Sequence, residues 1–158
     1  MGKNYWENRI VGSGELDPKD ILPNSKNIRK HPKNQRNSLK SSLDEVGFVA
    51  PVTINQRTGL LIDGHMRVEE ALIKGVASIP VCYVDLTETE EKYVLLTLDP
   101  IGSLARYDNE QTADLLNSVG LDDKDLVSTL GKQADDSHGQ LKNVNIPNMN
   151  MVCEYCGK

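Results

Sequence analysis

The chain has 158 residues, of which 38% are hydrophobic and 4% aromatic, and it carries a net charge of −5. This length suits one ordinary domain with an appendage, and the acidic balance excludes a protein that coats nucleic acid with its whole surface. No apolar run approaches the roughly 20 residues that span a bilayer. The N-terminus lacks the apolar stretch of a signal peptide, so we expect a cytoplasmic protein without a membrane partner.

The N-terminal third is predicted to hold a loose arm, a short edge strand and a helix. Residues 1–14 form the flexible arm, and residues 21–22 form the strand before a proline turn. Apolar residues recur four and three apart at Leu39, Leu43 and Val46, which is the spacing of one helical stripe. The stripe predicts a helix over residues 33–46, with Gly47 as its C-terminal cap.

After this helix, strands and a helix are predicted to alternate, and the last predicted elements are all helices. Thr87 and Glu90 carry the signature of a capping box at the start of one of these helices. We expect an α/β fold of the mixed α+β kind, with a small mixed sheet and interleaved helices over residues 15–130, followed by a linker and tail at 131–158. The predicted strands cover residues 48–56, 60–63 and 79–86, and the predicted helices 65–74, 88–98, 109–119 and 122–130.

The turn between the second of these strands and its helix has the composition of an anion site. Gly64 lets a ligand approach the backbone closely, and the start of the helix offers free N–H groups. Arg67 suits bidentate phosphate binding, and His65 can donate a hydrogen bond or accept a proton. The alternative is an ordinary helix start, with Asp63 as N-cap and Arg67 paired with Glu69 or Glu70 on the surface.

A basic segment precedes this turn in the sequence. Between Lys26 and Lys40 there are six basic residues and no acidic one. Such a run is either a solvated face or a contact surface for the phosphates of DNA. The residues predicted to contact DNA are Lys30, Lys33, Arg36 and Lys40.

Three stretches, in order, make the sequence from about Leu16 to Leu116 resemble the ParB/sulfiredoxin superfamily, and in particular its ParB-like N-terminal domain. "ILPNSKNIRKHPKNQ" resembles the opening asparagine–arginine loop of that domain, and "LKSSLDEVGFVAPVTIN" resembles the helix and strand that follow. "GLLIDGHMRVEEALIKGVASIPVCYVDLTETEE" resembles the Gly-x-x-Arg box with its flanking strands. Roughly 100 of the 158 residues are covered, and "LLTLDPIGSLARYDNEQTADLL" is similar to the ParB-like domains of phage proteins and of DNA-modification methylases.

The resemblance implies a nucleotide-binding module that acts with DNA, as an accessory protein of a phage or mobile element. The implied ligand is a nucleoside triphosphate, CTP or ATP, with Mg²⁺, and the implied partners are DNA, a fused or partner methylase or another protein, and a second copy in a homodimer. In sulfiredoxins the turn carries a catalytic cysteine, whose position is held here by His65. The nucleotide-binding residues implied or predicted are Asn27, Arg29, Gly64, His65, Met66 and Arg67.

Two alternative functions differ in whether they use this turn. In an enzyme, a nucleotide hydrolase or a small-molecule kinase, Asp63 or His65 would be the catalytic base and Arg67 would stabilise the phosphoryl group. In a protein-interaction domain the pocket would be vestigial, and the acidic helices would bind the partner.

The C-terminal "CEYCGK" has the spacing of half a zinc knuckle, since thiolates two residues apart can hold one Zn²⁺. Cys153 and Cys156 supply two of the four ligands that a structural site needs. His138 is a candidate third ligand, and a second chain could supply others. A redox pair and a tail of idle thiols are the alternatives.

Overall fold

The structure is a computed structural model, which describes residues 5–105 and 109–119. It has the predicted α/β architecture, in which one four-stranded mixed sheet carries interleaved helices. The strands are β1 (Ile10–Leu16), β2 (Val52–Asn55), β3 (Leu61–Asp63) and β4 (Ile79–Val84). The helices are α1 (Lys33–Val46), α2 (His65–Lys74), α3 (Glu88–Gly102) and α4 (Asn109–Val119).

The sheet has the spatial order β1-β4-β2-β3. The central pair, β2 and β4, is parallel, and each outer strand is antiparallel to its neighbour. Strand β3 and helix α2 lie between β2 and β4 in the chain, and together they form the crossover that joining these two parallel strands requires. The carboxyl end of β3 therefore meets the start of α2 at the edge of the sheet, and this junction is the turn singled out in the sequence.

The predicted N-terminal arm is wrong for residues 10–14, because they belong to β1. This strand pairs with β4, with Leu16 opposite Ile79 and Ser13 opposite Cys82. Most of its residues are exposed, and it contains two glycines. Its local sequence therefore gives little strand signal, and the pairing with β4 determines its conformation. The predicted strand at residues 21–22 is reduced to one parallel bridge between Leu22 and Leu60.

The apolar core lies between the sheet and α2. Val52, Leu61, Ile79 and Val81 are 0–1% exposed, and Val68 and Ala71 of α2 cover them. A second, smaller cluster joins Ile62, Leu86 and Leu95, so that α3 is attached to the sheet. None of the helices in the described part of the chain is long and apolar enough to cross a bilayer.

Two of the predicted helices differ in detail. Of the α1 stripe, Leu39 and Leu43 are half-buried, whereas Val46, the last residue of the helix, is 63% exposed. Helix α3 has the predicted capping box between Thr87 and Glu90, but it continues past residue 98 and through Pro100. The predicted helix at residues 122–130 and the linker and tail at 131–158 lie outside the described residues.

Candidate functional site: the junction of β3 and α2

Gly64 is the N-cap of α2 and has a left-handed conformation, with φ of 93°. A Cβ atom at this position would lie 2.6 Å from Cγ1 of Val52 and 2.9 Å from its Cβ. Both the backbone angle and the close approach to β2 therefore require glycine. The result is a tight entry into α2, whose first-turn N–H groups have no acceptor within the helix.

A cavity of about 330 Å³ opens beside this turn. It brings together residues from the loop before α1, from α1, from the β3–α2 turn and from α3. Five of the predicted turn residues and Arg29 line it, together with Asp99 of α3. The lining residues are Arg29, His31, Gln35, Leu39, Asp63, Gly64, His65, Met66, Arg67 and Asp99.

Asp63 lies between two arginines. Its Oδ2 accepts a hydrogen bond of 2.7 Å from Nη2 of Arg67, and its Oδ1 lies 3.5 Å from Nη1 of Arg29. Arg29 also forms an ion pair with Asp99, and Arg67 donates to the carbonyl of Ala50 at 3.2 Å. The side chains of the two arginines are 17–18% exposed, and both line the cavity.

The ordinary helix start considered as an alternative is wrong in both of its parts. The N-cap is Gly64 rather than Asp63, and α2 has no side-chain cap bond. Arg67 pairs with Asp63 rather than with Glu69 or Glu70. Those two glutamates instead bind Arg36 of α1, at 2.8 and 3.2 Å.

His65 is the first residue of α2 and is only 8% exposed. Its Nε2 accepts a hydrogen bond of 3.3 Å from the main-chain N–H of Asn24. Because Nε2 is an acceptor, the proton of the neutral ring is on Nδ1. This Nδ1 is buried and has no hydrogen-bond partner among the described residues.

The surroundings favour the neutral ring. Burial lowers the pKa of His65, and the charge of Arg29 lowers it further. A neutral histidine with Nε2 already bonded offers Nδ1–H as a donor and has no free acceptor nitrogen. Its geometry therefore fits binding an anion better than accepting a proton. Asp63 is likewise occupied by two arginines, which disfavours both residues as the general base of an enzyme.

Of the two residues predicted from the asparagine–arginine loop, one lies at the cavity and the other does not. Arg29 lines the cavity, whereas Asn27 does not. The side chain of Asn27 accepts a hydrogen bond from the main-chain N–H of Arg29 at 3.2 Å, which shapes the loop. Asn27 is therefore placed to hold Arg29 rather than to contact a ligand in the cavity.

A buried polar cluster behind the cavity was not predicted from the sequence. Glu91 of α3 is 1% exposed and accepts hydrogen bonds from Asn24, Asn55 and Thr58 at 2.6–2.9 Å. Burial raises the pKa of Glu91, but the three donated hydrogen bonds outweigh this effect, so the pKa lies below its ordinary value. The only sequence signal was the position of Glu91 four residues before the buried Leu95, on the inner face of α3.

The basic segment is partly engaged within the fold. Lys30, Lys33 and Lys40 are exposed, and they lie on the loop before α1 and on α1 itself. Arg36 is half-buried in its ion pairs with Glu69 and Glu70. Three of the four residues predicted to contact DNA are thus available, and Arg36 connects α1 to α2.

The predicted metal ligands Cys153 and Cys156, and the third candidate His138, lie outside the described residues. Within the ranges that are described, no cluster of three or more His, Cys, Asp or Glu side chains could hold a metal ion. Cys82 lies on β4 and is half-buried.

The fold is similar to solved structures of chromosome-partitioning proteins. One is the C-terminally truncated ParB of Caulobacter crescentus in complex with CTP-γ-S, at a TM-score of 0.54 and 16% identity, covering 80% of this chain and 77% of that one. Another is a Pnob8-like ParB N-domain, at a TM-score of 0.51 and 14% identity, covering 83% and 66%. The chain has the fold of the ParB N-domain.

A sequence relative comes from a virus. An uncharacterised protein of Acidianus two-tailed virus is 30% identical over 116 residues, which make up 72% of this chain. The chain spans about a third of the length of that relative, 35%. A scan against models of protein families finds no match.

Proposed function

We propose that the chain is a ParB-like nucleotide-binding module that acts with DNA, and that the cavity at the β3–α2 turn binds the phosphates of a nucleotide. The observation that carries the proposal is Nδ1 of His65, a buried nitrogen at the start of a helix that lines the cavity and has no hydrogen-bond partner within the described ranges. Because Nε2 accepts from Asn24, the proton of the neutral ring is on Nδ1, which is therefore a donor. Leaving such a donor unpaired costs about 1–3 kcal/mol. A phosphate oxygen would relieve that cost, and the helix N-terminus favours the same negative charge.

Arg29 and Arg67 are the cations of the proposed site. Each binds Asp63, and Arg29 also pairs with Asp99, so the two cations at the cavity wall are balanced by two carboxylates. A phosphate group can accept from both guanidinium groups and displace the carboxylate. The displaced Asp63 and the neighbouring Asp99 would then be free for the Mg²⁺ that accompanies a nucleoside triphosphate.

The choice of nucleotide rests on likeness in fold. The Caulobacter ParB structure was determined with CTP-γ-S, so CTP is the first candidate and ATP the second. DNA binding is assigned to the exposed side chains of Lys30, Lys33 and Lys40, which lie on the loop and helix next to the same cavity. A nucleotide could therefore influence the conformation of the segment that contacts DNA.

The test is a melting-temperature panel of CTP, ATP, GTP and ADP, each with Mg²⁺. A ligand at about 100 times its Kd stabilises the folded state by about 2.7 kcal/mol, by mass action. We expect one triphosphate to raise the melting temperature clearly and ADP to do so less. His65→Phe keeps a ring at this position without the donor, and we expect it to reduce the shift markedly, since one hydrogen bond to a charged group contributes about 1.5–3 kcal/mol.

The matched control is Arg57→Ala, which removes an exposed arginine from an ion pair with Asp85. This variant should keep the shift seen with the wild-type chain. If no nucleotide changes the melting temperature of the wild-type chain, the proposal fails and the protein-interaction alternative is favoured.

A further inference from the structure

A chain of hydrogen bonds links the buried carboxylate of Glu91 to the histidine of the cavity. Nδ2 of Asn24 donates to Oε1 of Glu91 at 2.9 Å, and the main-chain N–H of Asn24 donates to Nε2 of His65 at 3.3 Å. Asn24 is 3% exposed, and its Oδ1 accepts from the main-chain N–H of Lys26 at 3.0 Å. Asn24 is thus held on both sides of its amide.

The attachment of α3 to the sheet does not by itself require a buried carboxylate with three hydrogen-bond donors, as Glu91 has. A buried carboxylate carries a large desolvation cost, whereas Leu95 on the same face of α3 buries itself without one. Three donors satisfy Glu91: Asn24 at one oxygen, and Asn55 and Thr58 at the other. Asn55 is itself fixed by Leu86, whose carbonyl accepts at 3.0 Å and whose N–H donates at 3.2 Å.

The direction of each bond is determined along this chain. An ionised carboxylate only accepts, so the amide of Asn24 must present Nδ2 to Glu91. That orientation leaves Oδ1 for Lys26 and fixes the loop in which the Asn24 N–H faces His65. A donor facing Nε2 in turn requires the proton of the neutral ring to be on Nδ1.

We propose that Glu91 and Asn24 are positioning residues for the anion site, because they hold His65 in the tautomer whose Nδ1–H is available to the ligand. Neither residue lines the cavity. This inference rests on the proposed function for its consequence in ligand binding, but its structural premise concerns the histidine ring alone. The alternative is that the cluster only attaches α3 to the sheet.

Two variants separate these roles, since each removes one donor from the same carboxylate. Asn24→Ala removes the side chain that connects Glu91 to the loop facing His65. Thr58→Val removes the hydrogen bond of 2.6 Å that the Thr58 hydroxyl donates to the other oxygen of Glu91, and it leaves Asn24 in place. Both should lower stability, because each leaves Glu91 with two donors instead of three. Only Asn24→Ala should disturb the histidine.

The measurement is the ¹⁵N chemical shift of the His65 ring nitrogens, which differs between a protonated and an unprotonated nitrogen. We expect the wild-type chain and Thr58→Val to have the Nδ1–H tautomer. In Asn24→Ala we expect a substantial fraction of the Nε2–H tautomer. Glu91→Gln should behave like Asn24→Ala, since a glutamine must turn an N–H toward one of the three donors. If Glu91→Gln does not fold, the comparison of Asn24→Ala with Thr58→Val still tests the inference.

The second measurement is the affinity for inorganic triphosphate with Mg²⁺. We expect Asn24→Ala to weaken binding about 10-fold, the size of one hydrogen bond to a charged group, and Thr58→Val to change it less than about twofold. The Nε2–H tautomer in the wild-type chain, or equal effects of the two variants on both measurements, would overturn the inference. Tautomers that change as expected in a chain that binds no triphosphate would leave the positioning role intact and contradict the proposed function.

Discussion

The carboxylate of Asp63 accepts a hydrogen bond of 2.7 Å from Arg67, one helical turn further along the chain. The same carboxylate lies 3.5 Å from Arg29, which enters from the loop before α1. Asp63 therefore keeps two cations oriented at the cavity and also competes with any anion for them. Binding of a phosphate at the proposed site would therefore exchange one acceptor of the two arginines for another.

This competition predicts the effect of Asp63→Asn. The amide keeps an acceptor oxygen but loses the negative charge, so both arginines are attracted less strongly to their present partner. We expect the affinity for inorganic triphosphate without Mg²⁺ to rise several-fold, with a small loss of stability, as measured by calorimetric titration. If Asp63 were the general base of a hydrolase, the same variant would abolish nucleotide turnover, so a turnover assay on wild type and variant distinguishes the two roles.

Removing the arginine should have the opposite effect. We expect Arg67→Ala to lower nucleotide affinity by about 10-fold or more, since a hydrogen bond to a charged group contributes about 1.5–3 kcal/mol. The variant should still unfold cooperatively, because in the part of the chain that the structure describes Arg67 makes an ion pair with Asp63 and one hydrogen bond to Ala50 and does not belong to the apolar core. Equilibrium titration and thermal unfolding measure the two effects. A variant that is unfolded at ordinary temperature would show that the arginine is a structural ion-pair member instead.

Much of the site was predictable because its sequence signals are local. Gly64 precedes α2 and Gly75 follows it, and the predicted helix at residues 65–74 is confirmed. A glycine before a polar helix start is a signal of backbone conformation that needs no knowledge of tertiary contacts. The grouping of Arg29 with the turn came from the resemblance in motif order rather than from any local pattern.

The remaining features depend on contacts between distant residues. Asn24 and His65 are 41 positions apart, and Glu91 lies 67 positions from Asn24. In the sequence, Glu91 is one acidic residue among several at the start of α3, and its only local signal is the spacing of four residues from Leu95. Strand β1 was missed for a similar reason, since its conformation comes from pairing with β4.

The tight entry to α2 predicts that Gly64→Ala is strongly destabilising. A left-handed residue with a Cβ costs about 1–2 kcal/mol, and overpacking against Val52 adds about 1–3 kcal/mol. Gly75→Ala is the matched control, because Gly75 has a φ of 73° but no atom within 4 Å of a new Cβ. Denaturant unfolding should show the larger loss for Gly64→Ala. Equal losses would mean that β2 moves aside at little cost.

The basic segment predicts a salt-dependent affinity for DNA. We expect Lys30→Glu together with Lys33→Glu to weaken binding strongly and to flatten the dependence on salt, by about one unit of slope for each lost phosphate contact. These two residues are chosen over Arg36, whose reversal would also break its ion pairs with α2. Lys19→Glu together with Lys92→Glu, both at exposed positions outside the basic segment, is the control of equal charge change. Binding that is unaffected by the double reversal would place the DNA surface elsewhere.

The capping box of α3 predicts a loss of stability in acid. Hydrogen bonds from the main chain of Thr87 and from Arg9 lower the pKa of Glu90 to about 2. Because the folded-state pKa lies below the ordinary value of about 4.3, the contribution of Glu90 is fully present above that value. It is lost as the pH falls from there towards 2. We therefore expect Glu90→Gln to be less stable than wild type at neutral pH, with the difference shrinking over this window in urea unfolding. Glu88→Gln, in the same helical turn but outside the box, should show a smaller pH-dependent difference, and equal behaviour of the two variants would contradict the assignment.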